Sequence, residues 1–387
     1  PPAWEHDPEM NEEQRAWCDY HAGLIEPWDG PAALVFTDGH RIGAALDRNG
    51  LRPSRYTLTA QGLLIVASET GVVSVEVGDV VEKGRLGPGE MLAVDLDQHV
   101  FLHDDEIKEA LARRQPYQQW LDEYRLHLNS AASTESAENT EHTEGEPATE
   151  NEASASGETS DLFLRQQLFG YTHEDVEMVL RPILAENKEP TWSMGDDAPL
   201  AALSQQARPF ADYFRQRFAQ VTNPPIDPLR ERIVMSLDSY LGRRGSLLVE
   251  SPEHARLLHL TSPLLTESQL TQLGLLDTEY LRPVTLRTTF DPAQGSAALV
   301  AALDALEQEA ISAVAAGHTL IILSDRSATL TQDVRALPIP MVMAVGAVHN
   351  ALIRKGLRSG AALVCETGTV CDVHQIALVL GYGAEAI

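Results

Sequence analysis

AALVFTDGHRIGAALDRNGLRPSRYTL, Ala32 to Leu58, alternates short apolar runs with turn signals. AALVF ends at Thr37-Asp38-Gly39, RIGAAL at Asp47-Arg48-Asn49-Gly50, and SRYTL is followed by Gln61-Gly62 and then LLIVAS. Asp-Gly and Asn-Gly suit type I′ turns, because both central residues must take φ > 0, so the spacing predicts an antiparallel meander. Asn49-Gly50 has a second reading, the backbone donor of an oxyanion hole. That reading needs donors about 2.7–3.1 Å from the developing oxyanion and a nucleophile with a free base. The one thiol in this half is Cys18, between Trp17 and Asp19 in a predicted helix, and spacing therefore favours the turn.

Further along, VEKGRLGPGEMLAVDL adds a Gly/Pro turn and a strand. DDEIKEALARRQPYQQWLDEYRLHL is predicted to be helical, with Asp104 or Asp105 as N-cap and an interruption at Pro116. The first part, residues 1–129, thus reads as α+β. From Ser130 to Ser160 the composition changes to eight Glu, no Lys or Arg and no aliphatic residue larger than Ala. Such a stretch cannot bury enough apolar surface to offset the entropy of ordering, and it is read as a disordered acidic linker.

From residue 161 to 387 helices come first, in LFLRQQLFGY, THEDVEMVLRPILA and ARPFADYFRQRFAQV, with Thr172 as a start signal. Then SAALVAALDALEQEAISAVAAG reads as a helix and HTLIILSDR as a buried strand. PIPMVMAV reads as a second strand before helix GAVHNALIRKG, and AALVCETG as a third before DVHQIALVLGYGAEAI. Strands separated by helices imply parallel β-α-β units, so this part reads as α/β.

Composition bounds the function. The net charge of −28 argues against a nucleic-acid partner, which would need clustered Lys and Arg. No uncharged apolar run of 18 residues appears, so no membrane partner or span is expected. Three cysteines, Cys18, Cys365 and Cys371, are too few for a disulfide framework and fit a reducing, cytoplasmic setting. Cys365 and Cys371 lack a nearby third cysteine for an iron-sulfur cluster, and His374 would give zinc only a third ligand. His103-Asp104-Asp105-Glu106 could chelate a metal, but acidic residues also favour a helix start. His349 and His374 lie in apolar helices, as packing or surface histidines. LSDR, Leu323 to Arg326, falls where a parallel strand ends, a place for either a ligand or an interdomain salt bridge. There is no G-x-G-x-x-G or Walker motif.

Two sets of stretches resemble the large (alpha) subunit of bacterial glutamate synthase. YHAGLIEPWDGPAALVFTDGHRIGAALDRNGLRPSRY and VASETGVV are similar to the later strands of its glutaminase domain, a class II glutamine amidotransferase of the N-terminal-nucleophile (αββα) fold. FGYTHEDVEMVLRPILAENKEPTWSMGDDAPLAALS, YFRQRFAQVTNPPIDPLRERIVMSL, SPLLTESQL, PIPMVMAVGAVHNALIRKGLRSGAALVCETG and VLGYGAEAI resemble its central domain.

The resemblance implies an enzyme that makes two L-glutamate from L-glutamine and 2-oxoglutarate. Glutamine hydrolysis releases ammonia into an internal tunnel, and reductive synthesis follows at a second site with FMN and a 3Fe-4S cluster. Electrons come from NADPH through a small subunit with FAD and a 4Fe-4S cluster, or from ferredoxin. The family's N-terminal Cys nucleophile has no match here, since the chain starts at Pro1, and its oxyanion Asn-Gly belongs to an unmatched upstream segment. The expected reading is the back of the glutaminase domain (1–129), the acidic linker (130–160) and the central domain (161–387), inactive on its own. Its supporting residues would be Asp47, Arg48, Asn49, Gly50, Arg52 and Glu69, with no cofactor or metal ligand in this stretch. The rival readings are a non-catalytic structural module and a stand-alone class II amidotransferase.

Overall fold

A computed structural model describes residues 4–5, 7–8, 10–25, 31–128, 155–186, 188, 208–215, 236–330 and 335–387. The chain forms two compact units. One is built on the described residues up to Arg125 and on Ser246–Ala255. The other is built on Asp238–Gly245, Arg256–Ile387 and the described residues between Leu126 and Phe218.

The first unit opens with helix α1 (Glu12–Ala22), capped by the Asn11 side chain. Strands β1 (Ala33–Thr37), β2 (Arg41–Leu46), β3 (Arg55–Thr59), β4 (Leu64–Ala67), β5 (Val80–Arg85), β6 (Met91–Asp95) and β7 (Val100–Leu102) follow. They do not make one meander. The sheets run β1-β2-β6-β7 and β4-β3-β5, every pair antiparallel. β2 and β3, joined at Asn49-Gly50, thus lie in different sheets. Ala44, Leu46, Leu86 and Leu92 pack with Tyr56, Leu64, Val66 and Phe101 into one core, which requires a chain crossing where a hairpin was expected.

Helices α2 (Asp104–Ala112) and α3 (Tyr117–Tyr124) end this stretch. The N-cap is His103, one residue before the expected Asp. Glu106 reaches back to the His103 N–H (2.9 Å), while Asp104 receives Met91 N–H and Lys108 Nζ. The second core joins Ala16, Tyr20, Leu24, Tyr117, Leu121 and Ala255. Tyr20 OH donates to the Ser251 carbonyl (2.8 Å) and accepts from its N–H (2.9 Å), satisfying a fully buried hydroxyl and fixing Ser246–Ala255. Both faces of β1 are exposed: Leu34 and Phe36 lie on one, and Val35, at 73%, lies on the other with Ile42 of β2.

The second unit begins at β8 (Leu126–His127), where a helix had been expected to continue. It pairs with β10 (Leu258–Leu260), which pairs in turn with β9 (Ser239–Leu241). Most of the acidic stretch 130–160 lies outside the described residues. Its last six residues, however, enter helix α4 (Ala155–Phe169), because extending an existing helix costs far less than starting one. Thr172 caps the helical turns over residues 173–186, exchanging hydrogen bonds with Asp175. The expected helix ARPFADYFRQRFAQV is described only over 208–215, where Phe210–Tyr213 form a single 3₁₀ turn.

The core of this unit is a parallel sheet. Helix α5 (Glu267–Gly274) precedes β11 (Pro283–Arg287), β12 (Thr289–Phe290), α6 (Ser296–Ala315) and β13 (Leu320–Ser324). Then come β14 (Thr329–Leu330), β15 (Arg335–Pro338), α7 (Met341–Arg354), β16 (Ala362–Glu366) and α8 (Val373–Gly381). The order β11-β13-β16 is parallel throughout, with α6 and α7 in the crossovers. β13 is buried on both faces, as a central parallel strand must be. Ile321 and Leu323 join Val345 and Leu352 on one side, and Leu320 and Ile322 join Leu260 and Leu281 on the other. Each such side chain contributes about 1.5–3 kcal/mol by leaving water.

PIPMVMAV is not a strand. Pro340 is the N-cap of α7, and Met341, Val342, Ala344, Val345 and Val348 are all buried on that helix. A short continuous apolar run reads the same in a buried helix as in a buried strand. The first parallel strand is PVTLR instead.

Candidate functional site

Asp47 organises the first candidate site. Its carboxylate accepts the N–H groups of Ala32 (3.2 Å) and Asn49 (2.9 Å). Its carbonyl accepts those of Gly50 (3.1 Å) and Gly89 (2.8 Å), and its own N–H donates to Ala32 O. One residue therefore ties together the entry to β1, the turn after β2 and the turn before β6. The Asp47-to-Gly50 bond closes a four-residue turn in which neither Arg48 nor Asn49 has positive φ, while Gly50 sits at φ +62°. This is the type I pattern, with Asp first and Gly fourth, and not the primed hairpin turn.

Arg48 is 7% exposed along its side chain and meets Glu5 at 3.4 Å. Its Nε and the Asn49 Oδ1 are buried without a hydrogen-bond partner. Arg52 and Glu69 are both exposed, so the structure brings together Asp47, Arg48, Asn49 and Gly50 but leaves these two outside that network. Cys18 is inside α1 and buried, and burial pushes its thiol up to about 11. A nucleophilic cysteine needs the opposite environment.

The second candidate site lies at the carboxyl ends of β13 and β16, the position where open α/β sheets bind ligands. It is a cleft of about 650 Å³ whose floor is Asp325, Arg326 and Glu366 to Gly368, with Leu164, Leu168 and Phe169 of α4 as one wall. Arg326 does not bridge domains. It pairs with Glu366 (2.6 Å) and Glu267 (2.7 Å), all within this unit. Ser324 Oγ donates to Glu366 (2.5 Å). Tyr171 OH, following α4, donates to the Gly368 carbonyl (2.9 Å). The wall from α4 and the contribution of Glu267 carried no signal in the sequence, because each comes from a distant segment.

Asp325 is 1% exposed and accepts from Thr367 Oγ1 (2.6 Å) and Gly368 N–H (3.0 Å). Burial pushes its carboxyl above the usual range despite these bonds, and the charge of Glu366 adds to the rise. A carboxyl whose folded pKa exceeds its unfolded value stabilises the protein most when protonated, and loses that contribution as pH rises through the folded pKa. Asp325→Asn should therefore gain stability relative to wild type as pH rises from below the unfolded carboxyl's value of about 4 toward neutrality. Urea midpoints measured across that range check this, and a difference that does not change with pH would count against it.

The cysteines do not fit a cluster. Cys365 is in β16 with its thiol buried in the core and pushed up by that burial, and Cys371 is pushed up to about 11. Among the described residues no group of three His, Cys, Asp or Glu could hold a metal ion, His103 to Glu106 included. Nor is any helix among them long and apolar enough to cross a membrane.

The comparisons with known proteins divide along the same lines. The class II glutamine amidotransferase family model matches residues 1–120, and the glutamate synthase central domain model matches 164–387, more than half the chain. The chain belongs to the glutamate synthase family. Over its full length it is 44% identical to ferredoxin-dependent glutamate synthase 2 of Synechocystis sp. and 41% identical to the glutamate synthase [NADPH] large chain of Bacillus subtilis. It is 40% identical, also over its full length, to the glutamate synthase [NADH] of Schizosaccharomyces pombe. It spans 24%, 24% and 18% of those relatives, about a quarter or less of their length. Within this glutamate synthase stretch, Ser246–Ala255 belongs by sequence to the central-domain match but packs in the unit that carries the amidotransferase match.

Proposed function

We propose that this chain is part of the large chain of a glutamate synthase that forms two L-glutamate from L-glutamine and 2-oxoglutarate. The observation that carries this is the succession of an amidotransferase match and a central-domain match on one chain, at 40–44% identity to relatives named glutamate synthases. Residues 1–129 would form the later strands of an αββα glutaminase domain. The exposed Leu34, Val35, Phe36 and Ile42, spread over both faces of the β1 edge, support this, since such apolar surface is normally covered by a partner surface. Residues 161–387 would form the central domain that separates ammonia release from its use. Separation keeps ammonia from protonating or diffusing into solvent before it reacts.

FMN and a 3Fe-4S cluster would supply electrons for the reductive step. The thiols of this chain do not fit the cluster, and we assign both groups to other parts of the enzyme. The donor in this reading is NADPH, through a small subunit, and the setting is cytoplasmic. Glutamate formation by the full-length enzyme, offered NADPH, NADH and reduced ferredoxin in turn, tests the whole reading. Failure to form glutamate with any donor would overturn it.

Cys18 is not the nucleophile in this reading. The isolated chain is expected to show no glutaminase activity, and Cys18→Ala in the full-length enzyme to leave glutamine hydrolysis unchanged. Hydrolysis by the isolated chain that vanished with Cys18→Ala would reverse the assignment. Asp47, Arg48, Asn49 and Gly50 brace the sheet, whereas exposed Arg52 and Glu69 would meet the remainder of the glutaminase domain. Arg52→Ala should then lower glutaminase activity in the full enzyme with under about 0.5 kcal/mol of change in stability, as for a surface substitution. Unchanged activity would remove Arg52 from the site.

A further inference from the structure

Two Leu-His-Leu tripeptides, Leu126-His127-Leu128 and Leu258-His259-Leu260, are paired in parallel with His127 opposite His259, 132 residues away in sequence. Strand alternation sends the leucines of both tripeptides, together with Leu241, into one apolar core. It places the two imidazoles on the other face. There Tyr240, opposite His259 on β9, stacks on the His259 ring with centroids 4.9 Å apart and planes 17° apart. The two Nδ1 atoms stand 3.2 Å from each other. The Nε2 of His259 is buried, makes no hydrogen bond and lies 3.5 Å from Asp238 Oδ2.

An imidazole whose Nε2–H faces a carboxylate keeps its lone pair on Nδ1, and this arrangement orients histidine ligands in metalloproteins. Two imidazole nitrogens bound to one tetrahedral zinc, each at about 2.0–2.1 Å, stand roughly 3.3 Å apart. We propose that His127 and His259 form a binding site for a divalent transition-metal ion of the Zn²⁺ class. Both Nδ1 atoms are ligands, the Asp238 carboxylate favours the Nε2–H form of His259 by its nearby charge, Tyr240 holds the ring by stacking, and water completes the coordination shell.

His127 is exposed, so the ion reaches it from solvent and its ring turns to meet the ion, while Tyr240 holds the other ring in place. The hydrogen that one Nδ1 donates to the other in the metal-free pair moves to His127 Nε2 on binding. A doubly protonated ring must lose its extra proton, so affinity falls in acid. Two protein ligands make an exchangeable site and not a permanent structural one, which would close with four. The effect is local: β8 is two residues long, and an ion would pin it to β10, closing a long excursion of the chain where a clip is most effective.

Titration of the full chain with Zn²⁺ alone, followed by calorimetry and by thermal unfolding, tests the site. Wild type should bind one ion saturably and unfold at a higher temperature. His127→Gln, at an exposed ring, should weaken binding at least tenfold and abolish the thermal shift, and Asp238→Asn should weaken it by about tenfold. His40→Gln, at a histidine of the other unit, should change nothing. Equal binding by wild type and His127→Gln, or no binding by wild type below millimolar Zn²⁺, would overturn the proposal.

Discussion

Gly50→Ala is expected to destabilise the unit that carries the amidotransferase match by about 3 kcal/mol. Two effects add. At φ +62° a side chain incurs the left-handed penalty of roughly 1–2 kcal/mol. A Cβ at this position would also stand 2.7 Å from Pro88 Cα and 2.8 Å from Pro88 N, which are backbone atoms held by the Gly89-to-Asp47 bond and cannot swing aside. Overpacking of that kind costs typically about 1–3 kcal/mol. Urea unfolding followed in the full chain measures the loss, and a change below about 1 kcal/mol would mean that the two turns move apart freely. Because Asp47 ties both turns to the start of β1, the glutaminase activity proposed for the full-length enzyme should fall together with stability.

The second large effect is expected at Arg358, where one guanidinium satisfies four acceptors. It donates to His349 Nδ1 (3.0 Å), to the carbonyls of Ala361 (2.7 Å) and Gly383 (2.8 Å), and to Glu385 (2.9 Å). Glu385 also accepts the Leu363 N–H (2.6 Å), so the pair fastens the residues after α8 to β16. Burial and then the charge of Arg358 push the His349 pKa down, keeping its Nδ1 an acceptor. The two side chains are 19% and 13% exposed; removing one partner of so largely buried a pair strands the other charge, and Arg358→Ala should cost up to about 3–5 kcal/mol. Arg358→Met combined with Glu385→Gln should cost less than Arg358→Ala alone, because no charge is then stranded. Equal losses in the single and double variants, measured by urea unfolding, would show that the cost is packing and not charge.

Much of the second unit was legible because its signals are local. Buried β-branched and leucine runs such as LIILS mark strands that are covered on both faces, Thr172 and Asp372 mark helix starts, and LSDR marks a strand end that does line a cleft. The run PIPMVMAV misled because a helix apolar all round carries no period, and the strand PVTLR was hidden because Arg282, Thr285 and Arg287 dilute it. In the first unit the strand segments were legible but their partners were not. Turn residues fix where a chain reverses, and Asn49-Gly50 does reverse it, yet whether the two arms pair depends on which sheet each can bury against.

The sequence by itself determined the family, the apolar segments and the points at which the chain turns, since these depend on residues close together in the chain. The tertiary structure decided what meets across long separations. It split the strands into two sheets through the core around Leu46 and Tyr56, and set α4 against the strand-end cleft. It also brought two identical Leu-His-Leu tripeptides into register. Burial of apolar surface is non-directional, so the pattern of side chains says that a face must be covered, and only the packed chain says by which other face.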